Sequence, residues 1–306
     1  LFYNLRGLSQ SKKHRRKVGG LRFKQSHRFR TIHYNQSGFK IIDTGKRFDT
    51  LHLSKIGNLS MRMHRPIQGT VKQVVVKHYP SGDWYACIVT EQQQTNVTCQ
   101  IRSAVGIDMG LKYFCTDSNG LQVENPLFLN KSLKKLKHRQ RCFSRSVKGS
   151  RNRCKQRIFV AKKHTQIQNQ RSDFLQKLSH YYINRYDLIV IEDLNIKKMI
   201  RNHHLARHIA DASWTQFAQL LSRKAESAGK IIIRVDPCGT SQEYSHGQDI
   251  DRDYNASLNI LKRGKQVGQG LPELTPVDIR PLQRLCRVSA SQVVETGSSF
   301  LDYRKG

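Results

Sequence analysis

The chain has 306 residues, and its 54 lysines and arginines against 22 aspartates and glutamates give a formal net charge of +32. Hydrophobic residues make up 37% of the chain in periodic runs, which excludes a disordered polycation, and no apolar run approaches the ~18 residues of a membrane span. Such a charge predicts a polyanionic partner, because phosphate backbones attract lysine and arginine irrespective of sequence. We favour nucleic acid over an anionic membrane surface, since no basic amphipathic helix with an aromatic face stands out.

The first forty residues contain eleven lysines and arginines and no acid, with aromatic residues interleaved. This mixture is typical of a surface that follows a nucleic-acid backbone while its rings stack on bases. The simpler interpretation is a strand with a buried aromatic face and a solvated basic face, and the two are compatible. The candidate nucleic-acid-binding residues of this segment are Arg22, Lys24, Arg28 and Arg30.

Residues 50–101 have the pattern of β-structure. The β-branched run 71–77 and the run 84–91 predict two strands, and residues 80–83 between them have turn chemistry. We therefore expect a small antiparallel barrel or sandwich, as a domain spanning residues 20–102.

Residues 130–171 contain fifteen lysines and arginines and no acid, with sparse apolar residues at helical spacing. The pattern predicts one or two long basic helices. A helical face that is merely solvated usually mixes both signs of charge, so we favour a nucleic-acid track. Its candidate contact residues are Lys134, Lys135, Lys137, Arg139, Arg141, Arg151 and Arg153.

From residue 103 onward the order of elements predicts an α/β fold with a mixed sheet. Strands are predicted at 105–109, 112–116, 186–193 and 230–235, and helices at 212–229 and 251–264. Asp251 is the expected N-cap of the last helix, and Gly264 is expected just past its end. We expect residues 265–306 to form a loose, flexible tail.

Three acids occupy positions suited to chemistry. Asp108 ends an alternating strand and is flanked by glycines, Glu192 ends a buried strand, and Asp253 lies in the first turn of the last helix. Each alone has a structural interpretation, as a turn residue, a surface strand end or a helix cap. Together they suggest bound Mg²⁺ or Mn²⁺, because hard cations prefer oxygen ligands and paired ions promote phosphodiester hydrolysis.

Other candidates for metal or redox chemistry are weaker. His203, His204 and His208 could bind a metal, but a solvated basic loop and helix start is the favoured interpretation. The seven cysteines are odd in number and form no C-x-x-C pair, which favours reduced thiols in a cytoplasmic protein.

The combination of acids resembles the TnpB/OrfB family of insertion-sequence proteins, the compact relatives of type V CRISPR effector nucleases. Residues 105–114, VGIDMGLKYF, are similar to the first RuvC motif of that family. Residues 189–195, IVIEDLN, are similar to the second, and residues 251–260, DRDYNASLNI, to the third. The resemblance extends over nearly the whole chain.

The resemblance implies an RNase-H-like (RuvC) nuclease domain at 103–264, preceded by a β-barrel wedge domain at 20–102 and, at 1–19, the end of a helical recognition lobe. It implies a transposon-encoded, RNA-guided DNA endonuclease, often called a transposase, whose partners are a guide RNA and target DNA. Asp108, Glu192 and Asp253 would then be the catalytic acids that hold Mg²⁺ or Mn²⁺. We expect a monomer in the prokaryotic cytoplasm, associated with the nucleoid and not with a membrane.

Two departures from the family pattern leave alternatives open. The chain begins with Leu1 rather than Met and has a short amino terminus, so we expect a fragment or a partial reading frame. The cysteine pairs of the family's zinc ribbon are missing near residues 244–250, so we expect no structural zinc and a bare loop. The alternatives to an active nuclease are a remnant that binds RNA or DNA without cutting and a decayed product that folds poorly.

Overall fold

The computed structural model describes residues 2–15, 29–92, 101–239, 251–267 and 286–288. The chain forms two compact units, Leu1–Gln93 and Gln94–Gly306. Arg22, Lys24 and Arg28 lie outside the described residues, as does the segment 244–250 for which we expect no zinc ribbon.

In residues 2–15 and 29–92, the first unit contains a short helix and six strands. These are α1 Phe2–Lys13, β1 Thr31–Asn35, β2 Phe39–Ile42, β3 Asp49–Leu53, β4 Gly57–Met61, β5 Thr70–His78 and β6 Trp84–Glu91. Strand β6 has the bounds predicted from the sequence, and the turn before it is formed as expected: Gly82 has φ +95° and the Ser81 hydroxyl donates to Asp83.

The six strands form two antiparallel three-stranded sheets, in the orders β1-β5-β6 and β2-β3-β4. Leu51, Leu53, Val74 and Val76 of the two sheets form one buried cluster, because alternate residues of β3 and β5 point the same way. No hydrogen-bonded strand pair joins the two sheets in the described residues, so they do not form a closed barrel. Of the barrel and the sandwich expected from the sequence, the sandwich describes this unit better.

The second unit is built on a six-stranded mixed sheet in the order β11-β10-β7-β8-β9-β12. Its strands are β7 Ala104–Asp108, β8 Tyr113–Asp117, β9 Leu121–Glu124, β10 Leu188–Glu192, β11 Ile231–Val235 and β12 Cys286–Val288. Strand β10 is parallel to β7 and β11, while β7, β8 and β9 are antiparallel neighbours. The sequence therefore predicted the mixed α/β character of this unit correctly.

The helices described in this unit are α2 Phe128–Arg145, α3 Arg151–Arg185, α4 Ile196–Met199, α5 Ala206–Ala212, α6 Trp214–Ala228 and α7 Arg252–Val267. Buried side chains of α3 and α6 pack on one face of the sheet, and α7 packs on the other. No helix in the described parts of the chain has the length and apolarity needed to cross a membrane.

Helix α7 lies directly against two strands at glycine positions. A Cβ on Gly106 of β7 would come within 2.3 Å of the Ser257 carbonyl oxygen, and a Cβ on Gly264 within 2.4 Å of Val190 Cγ2. The predicted end of this helix at Gly264 is therefore wrong: the helix continues to Val267, and Gly264 is needed for close packing rather than for a cap. The predicted N-cap is confirmed, since Asp251 Oδ1 accepts from the amides of Asp253 and Tyr254.

The expectation of a wholly loose tail from residue 265 is also wrong. Residues 265–267 belong to α7, and Cys286–Val288 form β12, which pairs in parallel with β9. Val288 is buried in the main core of this unit, so a pairing between distant segments holds this part of the tail.

A carboxylate just before β10, that of Asp187, links the starts of three neighbouring strands. Asp187 Oδ2 accepts hydrogen bonds from the amides of Arg102 and Ser103, just before β7, and Oδ1 accepts from Lys230, just before β11. Burial by itself would raise the pKa of Asp187, but these hydrogen bonds outweigh it and lower the pKa to about 2. The Asp187 side chain is 14% exposed, so solvent screens the ion pair only weakly.

We expect this cluster to stabilise the sheet in a pH-dependent way. Because the pKa is lowered on folding, its contribution is complete above the ordinary pKa near 4 and is lost as the pH falls toward 2. The wild type should therefore have a larger free energy of unfolding than an Asp187→Asn variant at about pH 6. This difference should shrink by about 2 kcal/mol as the pH falls from about 6 to about 2. Urea unfolding at both pH values measures this, and a gap that does not change with pH would contradict it.

Candidate metal centre and nucleic-acid interface

Strand alternation places Asp108 and Glu192 on the same face of the sheet. Val105, Ile107, Ile189 and Ile191 point into the core under α3 and α6, so the residues between them face α7. The register pairs Ile191 with Ile107 in parallel, and each acid is the next residue of its strand. Because neighbouring strands lie about 4.8 Å apart, the two acids end adjacent strands side by side.

The third acid comes from the helix that covers this face. Asp253 precedes Ser257 and Leu261 by four and eight residues, so it lies on the side of α7 that touches Gly106. Gly106 lies two residues before Asp108 on the same face of β7. The close approach of helix and strand therefore fixes the separation of the elements that bear Asp108 and Asp253.

The electrostatic interactions at this edge agree with the placement of the acids. Burial raises the pKa of Asp108 to about 7, and repulsion from Glu192 and then Asp253 adds to the effect of burial. Burial and the neighbouring Asp251 also raise the pKa of Asp253, against attraction from Lys112 and Arg252. Glu192 is itself only 8% exposed. Negative charge thus accumulates at one edge of a strongly basic protein.

The donor chemistry of this edge fits a hard divalent cation, since all three groups are carboxylates. Their side chains do not converge to coordination distance, however. Among the described residues no three His, Cys, Asp or Glu side chains form a group that could hold a metal ion. His203 and His204 lie in an exposed loop, and His208 in α5 faces Asn130. The site residues predicted from the sequence are thus neighbours at one sheet edge, but not a closed ligand set.

The predicted basic helices are present as two, α2 and α3, joined by a tight turn. Ser150 caps α3 by accepting from the Arg153 amide, and Gly149 has φ +86°. No acid occurs in this hairpin before Asp173. The candidate residues Lys134, Lys135, Lys137, Arg139, Arg141 and Arg151 are exposed, as is Arg30 in the first unit.

Two of these cations also have structural contacts. Arg153 donates to the carbonyl oxygens of Phe143 and Ser146 and lies over the Phe143 ring, so its guanidinium holds the hairpin turn. Arg139 lies 5.1 Å from the centre of the Phe159 ring, but remains exposed. Neither contact tests whether these residues bind nucleic acid, which remains a prediction for the whole set.

Sequence reasoning did not identify Asp211 of α5, which organises the base of this hairpin. Its carboxylate accepts from the Leu129 amide in the first turn of α2 and forms an ion pair with Arg171 of α3. The side chain is 2% exposed. Acids are rare in this chain, and this rarity was the only feature of the sequence that marked Asp211. The partners of Asp211 could not be predicted, because they are 82 and 40 residues away in sequence.

The fold and the site define a class: a mixed α/β protein with an acidic sheet edge and a basic helical hairpin. Comparison with family models supports a more specific assignment. Residues 87–203 match the OrfB_IS605 model, described as "Probable transposase", and residues 214–260 match the "Cas12f1-like, TNB domain" model. The first match includes Asp108 and Glu192, and the second includes Asp253 in the first turn of α7.

Several relatives share these features. The chain is 32% identical over 260 residues to a Streptomyces pristinaespiralis protein named "Putative RNA-guided DNA endonuclease", covering 77% of this chain and 62% of that protein. It is 30% identical to InsQ of Escherichia coli K12, which bears the same designation, covering 76% of this chain and 60% of InsQ. "TnpB-like protein L79" of Acanthamoeba polyphaga mimivirus is 25% identical over 67% of this chain and 45% of its own length.

A solved structure, "Cryo-EM structure of the Cas12f1-sgRNA-target DNA complex", has a similar fold. It matches with a TM-score of 0.51 and 14% identity, over 82% of this chain and 67% of that one. The two family models and these relatives support assignment of the chain to the TnpB family. The chain spans about 60% of the length of the first two relatives.

Proposed function

We propose that this chain is an RNA-guided DNA endonuclease whose nuclease domain is the second unit, with an RNase-H-like (RuvC) core, and whose first unit is the wedge domain. The observation that carries the proposal is the gathering of Asp108, Glu192 and Asp253 at one sheet edge, where burial and then repulsion from the other two acids raise the pKa of Asp108 to about 7. The two bacterial relatives are both named "Putative RNA-guided DNA endonuclease", and these names support the same activity.

Asp108, Glu192 and Asp253 would hold Mg²⁺ or Mn²⁺, which would activate a water molecule and stabilise the leaving oxygen of a phosphodiester. The positions of these acids at strand ends and on a helix fixed by Gly106 supply rigid support for such a site.

The remaining residues would bind and orient the nucleic acids. The exposed cations of α2 and of the first turns of α3 can neutralise phosphates along a track of about 27 Å, the length of the 18-residue helix α2. Lys112 and Arg252 lie close enough to the acids to affect their pKa values, so they can contact a phosphate at the site of cleavage. We propose a guide RNA and target DNA as the partners.

A second candidate function is nucleic-acid binding without cleavage. It is favoured by the absence of a closed three-ligand group among the described residues, while the basic hairpin is fully formed. The two candidates differ in one property, the metal-dependent breaking of a phosphodiester bond.

The test is a plasmid-cleavage assay with the chain co-expressed with RNA transcribed from the DNA that flanks its own gene. Endonuclease function predicts cutting of a plasmid that matches the RNA, only with Mg²⁺ or Mn²⁺, and none with EDTA. RNA retained at moderate salt without any cutting would contradict the endonuclease and support the second candidate. Failure to retain RNA would exclude both.

A further inference from the structure

Helix α2 buries little of its own surface, so the contacts at its two ends matter for its direction. Of its 18 residues, all of which the structure describes, only Leu136 is buried. A helix of a globular protein is usually held by an apolar stripe along its length, and a single buried leucine makes this stripe narrow. The direction of α2 therefore depends on the polar groups that its ends meet.

A buried carboxylate from a distant part of the chain caps the beginning of α2. Leu127, the residue before the helix, has φ +48° and supplies no side-chain cap. Asp211 of α5 takes this role, because its Oδ2 atom accepts from the Leu129 amide at 3.0 Å. A negative charge at this end also complements the helix dipole. The same carboxylate pairs with Arg171, so it joins the first turn of α2 to α3.

A cation from α3 holds the other end of α2. Arg153 donates to the carbonyl oxygens of Phe143, in the last turn, and of Ser146, the C-cap. Its guanidinium also lies 4.4 Å from the centre of the Phe143 ring. A positive charge is favourable at this end of a helix. Each end of α2 is thus fixed by a charged group of the sign that the helix dipole favours.

The cations of α2 form a row whose direction depends on these contacts. Lys137, Arg141 and Arg145 recur at every fourth residue, which places them on one side of the helix about 6 Å apart along its axis. Together with Gln140 and Ser144 they line one concave surface. Such a row can meet successive phosphates of a nucleic-acid backbone only while the helix keeps its direction.

We propose that Asp211 is a positioning residue for nucleic-acid binding by the basic hairpin. Its side chain is 2% exposed, so it does not touch a phosphate itself and acts through the Leu129 amide and Arg171. Without the carboxylate this amide loses its acceptor, and the cation of Arg171 loses its ion pair in a position that is only 21% exposed. The first turn of α2 then separates from α3, and the row of cations loses its direction. This role rests on the nucleic-acid binding of the proposed function and does not depend on cleavage.

The test is the affinity of the full chain for a labelled RNA–DNA hybrid of about 20 base pairs, measured by fluorescence anisotropy in EDTA at several salt concentrations. Asp211→Ala should weaken the affinity about tenfold at moderate salt, and it should reduce the slope of log affinity against log salt concentration by about one, since fewer phosphates are neutralised. Asp211→Asn should lose less than Asp211→Ala, because its amide oxygen can still accept from Leu129.

Asp187→Ala is the matched control. Asp187 is also a largely buried carboxylate that accepts from backbone amides and pairs with a cation, Lys230, but it lies at the opposite end of α3 from the hairpin turn. Its removal should lower the free energy of unfolding, while the salt dependence of binding keeps the wild-type slope.

A folded Asp211→Ala chain with wild-type affinity and slope would overturn the proposal, as would an equal fall in slope in Asp187→Ala. If Asp211→Ala does not fold, a wild-type slope in Asp211→Asn would overturn it. A wild type that does not bind the hybrid at low salt would contradict nucleic-acid binding itself, and this role with it. Wild-type binding that is indifferent to Asp211 would contradict only the role of Asp211.

Discussion

Replacement of Asp108 by alanine is expected to reduce DNA cleavage at least about a thousandfold while RNA affinity is unchanged. Asp108 lies beside Glu192 at the strand ends, and a bound ion contributes several kcal/mol to the stabilisation of charge in a phosphodiester transition state. The RNA contacts that we propose come from other residues. The rate of plasmid cutting and the affinity for labelled RNA, measured on the same preparation, test the two halves of this expectation.

Asp193→Ala is the matched control for this variant. Asp193 follows Glu192 directly, but its side chain is 69% exposed and only 3.6 Å from Arg234 in a surface ion pair. Such a pair contributes little to stability, so cutting should be unaffected. Equal cutting by the wild type and Asp108→Ala would show that the metal centre has been assigned to the wrong residues.

Gly106→Ala is expected to destabilise the second unit by about 3 kcal/mol or more. The added methyl group would lie 2.3 Å from the Ser257 carbonyl oxygen and 2.7 Å from the Leu261 amide, both of them backbone atoms of α7. The helix must therefore move away from β7, which costs more than ordinary overpacking of side chains. The same movement would carry Asp253 away from Asp108. Chemical denaturation measures the loss, and cleavage by the surviving folded fraction should also fall.

Two companion variants separate this effect from the addition of a methyl group as such. Gly7→Ala adds the same group at an exposed position in α1 with no atom within 4 Å, and stability should not fall. Gly264→Ala meets the side chain of Val190 instead of backbone, so Val190→Ala should partly rescue it. A double-mutant cycle should give a favourable coupling of about 1 kcal/mol or more. Wild-type stability in Gly106→Ala would contradict the packing argument.

The elements that the sequence predicted well are those whose signal is local. Strand β6 was predicted with its exact bounds from its composition and the turn before it, and Asp251 was identified as a cap from its position. The face of Asp108 followed from alternation in β7, because Val105, Ile107 and Met109 do share one buried cluster. The three acids were proposed from motif and position, and the parallel register explains why Asp108 and Glu192 are neighbours.

The features that were missed depend on distant partners. Gly264 suggests a helix end in sequence, and only the presence of Val190 beneath it explains a glycine within α7. Strand β12 has three residues and is defined by its pairing with β9, more than 160 residues earlier. The roles of Asp187 and Asp211 likewise depend on segments 40 or more residues away. Local patterns contain no information on such contacts.

An apolar groove of the first unit, lined among others by Leu59, Trp84 and Tyr85, is a further example. Trp84 and Ile88 are both apolar residues of β6, yet one is 61% exposed and the other lies partly buried against the core. The composition of the strand does not distinguish them. The exposure of apolar side chains around this groove follows from the way two short sheets meet, and it became evident only from the fold.

The most direct test of the metal centre is a calorimetric titration of the purified chain with Mn²⁺. We predict that Asp108→Asn, Glu192→Gln and Asp253→Asn each weaken the tightest Mn²⁺ binding at least about tenfold. Each variant replaces one of three charged carboxylates with a neutral amide of similar shape. Asp193→Asn should bind as the wild type does. If all three variants bind Mn²⁺ with wild-type affinity, the acids at this sheet edge do not form a metal centre and the account is contradicted.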